Sequence, residues 1–251
     1  MNAPGRPSQS DGCREQPTIS AALPESPPAE GVRSLEVCWI VPGQLAAAVA
    51  TWFGRFPAEM ESREDTYLLN PDLRGSVKVR AHGALEVKAY DGCLGTLDVA
   101  GRARGRMESW QKWSIPFDSF RQESRDPPGW RTVAKRRQIC RFQLRSEGTV
   151  ADAGGLAGEP ECAVELAEVR TQGEVWWSLG FEATGPTGLI RNVLEATAAL
   201  VFTPALPVGV ELSTEDSRSY AEWLRRRPRP EVAWDQSADP GEAKSTRHAR
   251  L

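Results

Sequence analysis

The residues best suited to chemistry are charged side chains that recur at every second position of several short segments. Lys78 and Arg80 alternate in this way in "SVKVR", and Lys135 and Arg137 do so in "TVAKRR". Lys88 follows at the end of "LEVK". Because successive side chains of a strand point to opposite faces, each alternating pair shares one face. Cations gathered on one face of a sheet form a binding surface for an anion with several phosphate groups.

Carboxylates are spread over the same series of segments. Glu36, Glu86, Glu165 and Glu182 lie on four different segments. A solvated outer face of a sheet explains any one of these charges taken alone. If the sheet closes into a barrel, however, one of its faces becomes a lumen. A lumen lined with cations and carboxylates suits a polyanion together with a divalent metal ion.

The elements that carry these charges are mostly short strands. The first, "SLEVCWIV", alternates at period two and is stopped by Pro42. Short period-two segments follow, separated by Pro-Asp, His-Gly and Asp-Gly turns that predict an antiparallel meander. The later segments continue the series, and Gln172-Gly173 joins two of them in a hairpin. The predicted strands after the first are "TYLLN", "GSVKVRA", "ALEVKAYD", "GTLDVAG", "GRMESWQKWSIPFD", "GWRTVAKRRQICRFQL", "PECAVELAEVRTQG" and "GEVWWSLGFEATG".

Helices are predicted on either side of this strand series. Apolar residues recur at helical spacing in "PGQLAAAVATWFGRF" and in "TGLIRNVLEATAAL", and a last short helix covers "EDSRSYAEWLRR". The segment "EGTVADAGGLAGEPE" is small and flexible in composition and is predicted to bulge from the sheet as a loop. Strands that dominate and helices that bracket them indicate an α+β domain built on an antiparallel sheet.

Composition sets the limits of the folded region. Residues 1–33 and 227–251 are rich in proline and polar residues, which predicts disordered tails around a domain at 34–226. The net charge of −3 provides no global field that would attract nucleic acid or an anionic membrane. The N-terminus has no apolar signal region, and no run of about 18 apolar residues occurs. A cytoplasmic protein is expected, and its oligomeric state stays open.

In the order of its motifs the chain resembles the CYTH or triphosphate tunnel metalloenzyme superfamily. The resemblance covers residues 34–226. It implies an eight-stranded antiparallel β-barrel, or tunnel, in which Lys and Arg hold a triphosphate and acidic residues hold Mg²⁺ or Mn²⁺. Members hydrolyse inorganic triphosphate, thiamine triphosphate or RNA 5′ ends, or cyclise ATP. The motifs are "SLEVCW", "REDTYLLN", "SVKVR", "LEVK", "TVAKRR", "VELAEV" and "WWSLGFEA".

The resemblance also implies roles for individual residues. Glu36 matches the first glutamate of the N-terminal Glu-x-Glu-x-Lys signature, and Glu182 matches the last glutamate of the closing Glu-x-Glu. Glu165 lies near a lost aspartate and is a candidate to replace it, whereas Glu168 falls on the other face. The candidate metal ligands are therefore Glu36, Glu165 and Glu182. The candidate phosphate ligands are Lys78, Arg80, Lys88, Lys135 and Arg137.

The chain departs from the family pattern mainly at the acidic positions. Cys38 and Gly180 stand where the family has the second and the penultimate glutamate, and Ala167 stands where it has aspartate. Ile40 replaces the lysine of the first signature. Mg²⁺ requires hard oxygen ligands, so these losses should weaken metal binding more than phosphate binding.

Three functions follow from this contrast. The leading interpretation is a tunnel domain that binds a triphosphate, a polyphosphate or another phosphorylated small molecule. An alternative is a triphosphatase that depends on Mg²⁺ or Mn²⁺, because phosphoryl transfer relies on metal-assisted positioning and charge neutralisation. A third is a structural or partner-binding domain whose lumen is filled by side chains, which fits the nine tryptophans.

Overall fold

The structure is a computed structural model that describes residues 31–80, 83–116, 128–145, 147–152 and 159–227. Within these residues it has nine strands and three helices. None of these helices is long and apolar enough to cross a membrane. The strands are β1 Val32–Pro42, β2 Glu59–Leu68, β3 Gly75–Arg80, β4 Ala84–Asp98, β5 Arg104–Pro116, β6 Trp130–Leu144, β7 Val150–Asp152, β8 Glu161–Thr171 and β9 Glu174–Thr184; the helices are α1 Ala47–Phe53, α2 Ile190–Val201 and α3 Tyr220–Arg226.

Eight of the strands close into an antiparallel barrel. The hydrogen-bonded order is β2-β3-β4-β5-β1-β9-β8-β6, and β2 pairs with β6 to complete the ring. Strand β7 lies outside the ring and, within the described part of the chain, pairs with the end of β6. The predicted α+β fold with an eight-stranded antiparallel barrel is therefore confirmed.

The two faces of the barrel wall have opposite character. On β1, Leu35, Val37 and Trp39 are buried on the outer face, whereas Glu36 and Cys38 face the lumen. The same alternation runs through β6, β8 and β9, so the apolar core lies outside the barrel and the charges lie inside it. This arrangement follows from the period of two along each strand, which assigns every second residue to one face.

Two helices cover the apolar outer face. Helix α2 packs Val193, Leu194 and Val201 against the outer residues of β1, β6, β8 and β9. Helix α1 adds Trp52 and Phe53 to the same core. Each fully buried side chain of this size contributes roughly 1.5–3 kcal/mol relative to an exposed one. The barrel is therefore held in shape from the outside, and its lumen is left to polar groups.

Helix α3 closes one end of the barrel. Its Trp223 and Leu224 pack against Ile40, Val169 and the other members of a small apolar cluster at that end. The segment 212–218 leads into the helix by filling the gap where β1 and β5 separate, since its backbone hydrogen-bonds to both strands. The lumen is consequently blind at the α3 end.

Several elements differ from the sequence predictions in extent. The segments "ALEVKAYD" and "GTLDVAG" were predicted as two strands but form the single strand β4, in which register shifts at Gly92 and between Cys93 and Thr96 absorb the intervening residues. Part of the predicted loop forms β7, and residues 153–158 of that loop lie outside the described part of the chain. Strand β1 begins at Val32, and the predicted tails otherwise lie outside the described residues, so their disorder stays a prediction.

Candidate functional site

The barrel encloses a cavity of about 450 Å³. Its walls are the inner faces of the strands, and Tyr220 at the start of α3 lies at its closed end. Trp110 also lines the cavity, and its buried indole N–H has no hydrogen-bond acceptor among the described residues. The charged residues of the wall are eight cations, Arg63, Lys78, Arg80, Lys88, Lys112, Lys135, Arg137 and Arg141, and six carboxylates, Glu36, Glu61, Glu86, Glu161, Glu165 and Glu182.

The structure therefore brings together all eight residues predicted for the site. The five predicted cations and the three predicted metal ligands face the same cavity. Positive and negative charges in the lumen are also closer in number than the sequence indicated, because the lumen contains carboxylates outside the predicted site. These are Glu61 on β2 and Glu161 on β8, together with Glu86, whose role the sequence left open.

Glu86 is the counterion of the first basic pair. Lys78 Nζ lies 2.8 Å from Glu86 Oε1, and Arg80 donates to Oε2 of the same carboxylate. Burial alone would raise the pKa of Glu86, but Lys78, Lys88 and Arg80 lower it well below its ordinary value. Glu86 therefore stays ionised and fixes the two cations in the wall.

Lys88 lies between two of the predicted metal ligands. Its Nζ donates to Glu36 Oε1 at 2.7 Å and lies 3.9 Å from Glu182 Oε1. Lys112, which the sequence analysis did not single out, donates to the same Glu182 oxygen. Although burial opposes ionisation of Glu182, Lys88 and Lys112 lower its pKa to about 2.

Arg137 joins two carboxylates on neighbouring strands. Its Nε donates to Glu165 Oε2 at 2.7 Å, and another guanidinium nitrogen donates to Glu61 Oε2 at 2.6 Å. Burial would raise the pKa of Glu165, but Lys135 and Arg137 lower it. The position predicted for a metal ligand is thus occupied by an arginine–carboxylate pair.

Lys135 is the least neutralised of the predicted cations. It is 5% exposed, and the nearest carboxylate oxygens, on Asp65 and Glu165, lie 3.9 and 4.0 Å from its Nζ, beyond hydrogen-bond range. The same Nζ lies 3.3 Å from the ring centroid of Tyr220, in a cation–π contact. Burial lowers the pKa of Lys135 to about 8, against partial compensation by Glu165 and Asp65.

Asp65 is a buried acidic residue that the sequence analysis missed. It lies on the inner face of β2 with Arg63 and Tyr67, and its fully buried carboxylate is 3.3 Å from Arg63, 3.7 Å from Lys78 and 3.9 Å from Lys135. Burial would raise the pKa of Asp65, but Lys78, Lys135 and Arg63 lower it. Asp65 stands two positions before Tyr67 and therefore shares its strand face. It was not predicted because the strand was expected to begin at Thr66, whereas β2 begins at Glu59.

The positions that depart from the family pattern divide into two groups. Cys38 and Gly180 face each other across β1 and β9 and both line the cavity. Ile40 and Ala167 are buried in the apolar cluster against α3 instead. Burial raises the pKa of the Cys38 thiol far above its ordinary value, so it is protonated and offers no anionic ligand.

The donors present do not fit a divalent metal ion. Glu36, Glu165 and Glu182 are each already paired with a lysine or arginine of the wall. Among the described residues, no three His, Cys, Asp or Glu side chains are grouped so as to hold a metal. Hard cations such as Mg²⁺ and Mn²⁺ need several oxygen ligands that are free to coordinate.

The closed antiparallel barrel with a charged lumen is the tunnel fold that the resemblance implied. No protein-family model and no curated protein matches the chain. Among the solved structures that align with it is the PH1819 protein from Pyrococcus horikoshii OT3, with TM-score 0.40 and 15% identity over 76% of this chain and 97% of its own. Another is the Pct1 RNA triphosphatase of S. pombe in complex with the Spt5 CTD, with TM-score 0.37 and 9% identity over 70% of this chain and 80% of its own. Likenesses at this level carry no activity from one chain to another.

Proposed function

We propose that the lumen binds a phosphorylated small molecule, such as a triphosphate or a short polyphosphate. The observation that carries this proposal is a blind cavity of about 450 Å³ whose wall has eight cations against six carboxylates. The excess is two positive charges, and the buried, inward-facing Asp65, 3.7 Å from Lys78, offsets one of them. The lining cations come from β2, β3, β4, β5 and β6, and such a basic wall suits an anion with several phosphate groups.

The ligand would bind by exchanging partners with the wall. Lys135 has no hydrogen-bonded carboxylate, so a phosphate oxygen at its Nζ displaces little. Arg80 on β3, which is separated from Lys135 on β6 by β2 alone, is one-third exposed and can turn from Glu86 towards a phosphate. Charge-assisted hydrogen bonds to phosphate are about twice as strong as neutral ones, which favours the exchange.

Two observations favour binding over the other predicted functions. The cavity argues against a lumen filled by side chains. The pairing of Glu36, Glu165 and Glu182 with cations argues against a triphosphatase that relies on Mg²⁺ or Mn²⁺ held by these residues. A cytoplasmic location and the identity of the phosphorylated ligand stay predictions.

The test is a thermal-shift titration with triphosphate and polyphosphate in EDTA. Both should raise the melting temperature of the wild type, and Arg137→Ala should reduce the shift. Arg136→Ala is the matched control, because Arg136 is the next residue on β6 but lies on the exposed outer face with Glu168. No shift with any polyphosphate, or an equal loss in both variants, contradicts the proposal. Phosphate release from triphosphate with Mg²⁺ or Mn²⁺ that Glu182→Gln abolishes would favour the triphosphatase instead.

A further inference from the structure

Two glutamates of the lumen face each other directly. Glu36 on β1 and Glu182 on β9 are register partners on the inner wall, and we refer to them as the carboxylate pair. Like charges directly opposite each other in an antiparallel sheet destabilise it. The carboxylate pair therefore requires a cation between or beside its members.

Two lysines of the chain supply that positive charge. Lys88 on β4 and Lys112 on β5 are also register partners, and we refer to them as the lysine pair. Lys88 Nζ donates to Glu36 at 2.7 Å and lies 3.9 Å from Glu182, to which Lys112 donates. The four side chains form a series of alternating charges in the wall, Glu36, Lys88, Glu182 and Lys112, with no net charge.

The surroundings of this group add one carboxylate, Glu108 on β5, which is the other register partner of Glu36 and lies 3.3 Å from Arg106. The next inward-facing positions on β1 and β9 are Cys38 and Gly180, a protonated thiol and a residue without a side chain. On the other side, the Ser34 hydroxyl donates to Glu36 at 2.6 Å and so occupies that carboxylate further. A metal ion at this place would have to displace both lysines, and among the described residues no third acidic side chain is grouped with Glu36 and Glu182 so as to hold it.

We propose that the lysine pair takes the place of a divalent metal ion on the carboxylate pair, so that the lumen, in the function proposed above, binds its anion without a metal. The ammonium groups supply two charges, as one divalent ion would. Their position is fixed by the backbone register, so they are present whether or not a ligand is bound. The carboxylate pair then orients the lysine pair and does not coordinate a metal.

The test measures metal binding directly, in the absence of any phosphate. Mn²⁺ is titrated into the full-length protein, and the signal of free Mn²⁺ is followed by electron paramagnetic resonance. The wild type should leave the signal unchanged. The variant Lys88→Met/Lys112→Met should bind Mn²⁺ about tenfold or more tightly than the wild type, the scale on which one neighbouring group changes metal affinity. Adding Glu182→Gln to it should cancel the gain.

Two results would overturn the proposal. One is Mn²⁺ binding by the wild type that Glu182→Gln abolishes. The other is triphosphate binding by the wild type that occurs with Mn²⁺ and not in EDTA, a measurement that decides the matter even if the double variant fails to fold. If triphosphate binds under neither condition, the proposed function fails, while the Mn²⁺ titration still decides whether the lysine pair replaces a metal.

Discussion

At the scale of single residues, Lys135 has the features expected of a group that waits for an anion. It is buried, contacts the face of Tyr220 and has no hydrogen-bonded carboxylate. The low polarity around it makes the charged form costly, which lowers its pKa to about 8. A bound phosphate would remove that cost. Lys135 therefore links ligand binding to proton binding near physiological pH.

The affinity for triphosphate should fall as the pH rises above about 8. The anion binds the protonated lysine, and the proportion of protonated Lys135 in the free protein decreases above its pKa of about 8. A single linked proton limits the loss to about tenfold per pH unit. Isothermal titration calorimetry between pH 7 and 9.5 measures this loss of affinity. Lys135→Arg keeps its positive charge over this pH range and serves as the control. Titration of the ligand itself affects both proteins equally, so only the wild type should lose the additional affinity. Parallel curves of affinity against pH for the two proteins would contradict the prediction.

Glu86 should contribute to stability and oppose ligand binding. It is 3% exposed and pairs with Lys78 and Arg80, so Glu86→Gln removes the carboxylate paired with Arg80 and leaves Lys78 with the more distant Asp65. Breaking a buried pair costs about 3–5 kcal/mol, which urea unfolding would detect. The extra positive charge should at the same time tighten triphosphate binding. The control is Glu168→Gln, which breaks an exposed pair with Arg136 and should cost less than about 1 kcal/mol. Equal costs would contradict this interpretation of the lumen.

At the scale of elements, the sequence was sufficient to predict the strands but not all of the residues they place in the lumen. Period-two alternation placed Lys78 with Arg80 on one face, and that face is indeed the inner one. The same pattern is produced by a solvated outer face, so alternation alone does not identify a lumen. Lys112 was not predicted as a lumen residue, because its partner Glu182 lies 70 residues further along the chain, on β9. Such pairings depend on strand order, which local patterns do not contain.

Helix α3 should be essential to the closed end of the lumen. Trp223 is 2% exposed and packs edge-on against two aromatic rings. Its ring centroid lies 5.2 Å from that of Trp176 and 5.9 Å from that of Tyr220. Trp223→Ala should cost about 3–5 kcal/mol in urea unfolding. Because Tyr220 covers Lys135, the variant should also weaken triphosphate binding.

The control for Trp223→Ala is Trp113→Ala, since Trp113 is a half-buried tryptophan of β5 outside the cavity. Its loss should cost less stability and leave triphosphate binding unchanged. If Trp223→Ala lowers stability without any effect on binding, α3 is a structural cap that takes no part in the site.

At the scale of the whole molecule, stability and binding are separated in space. The apolar core lies between the outer wall and helices α1 and α2, whereas the lumen is a set of ion pairs. Buried ion pairs are weak evidence of net stability, because desolvation offsets much of their attraction. The outer core therefore accounts for the fold, and the lumen can be given over to a charged ligand. Acidic residues of the lumen can therefore change without loss of the apolar packing that holds the barrel.

The ion pairs of the lumen should make the folded protein sensitive to acid. Glu86, Glu182, Glu165 and Asp65 all have pKa values lowered by neighbouring cations, so the folded state binds protons less readily than the unfolded chain. Their contribution is complete above the unfolded pKa of about 4 and is lost as the pH falls through the lowered values. The melting temperature should therefore fall steeply below about pH 4.5. Glu86→Gln, which lacks one of these groups, should show a shallower decline. A wild-type melting temperature that stays constant to pH 2.5 would mean that the lumen carboxylates are not held ionised by the cations around them.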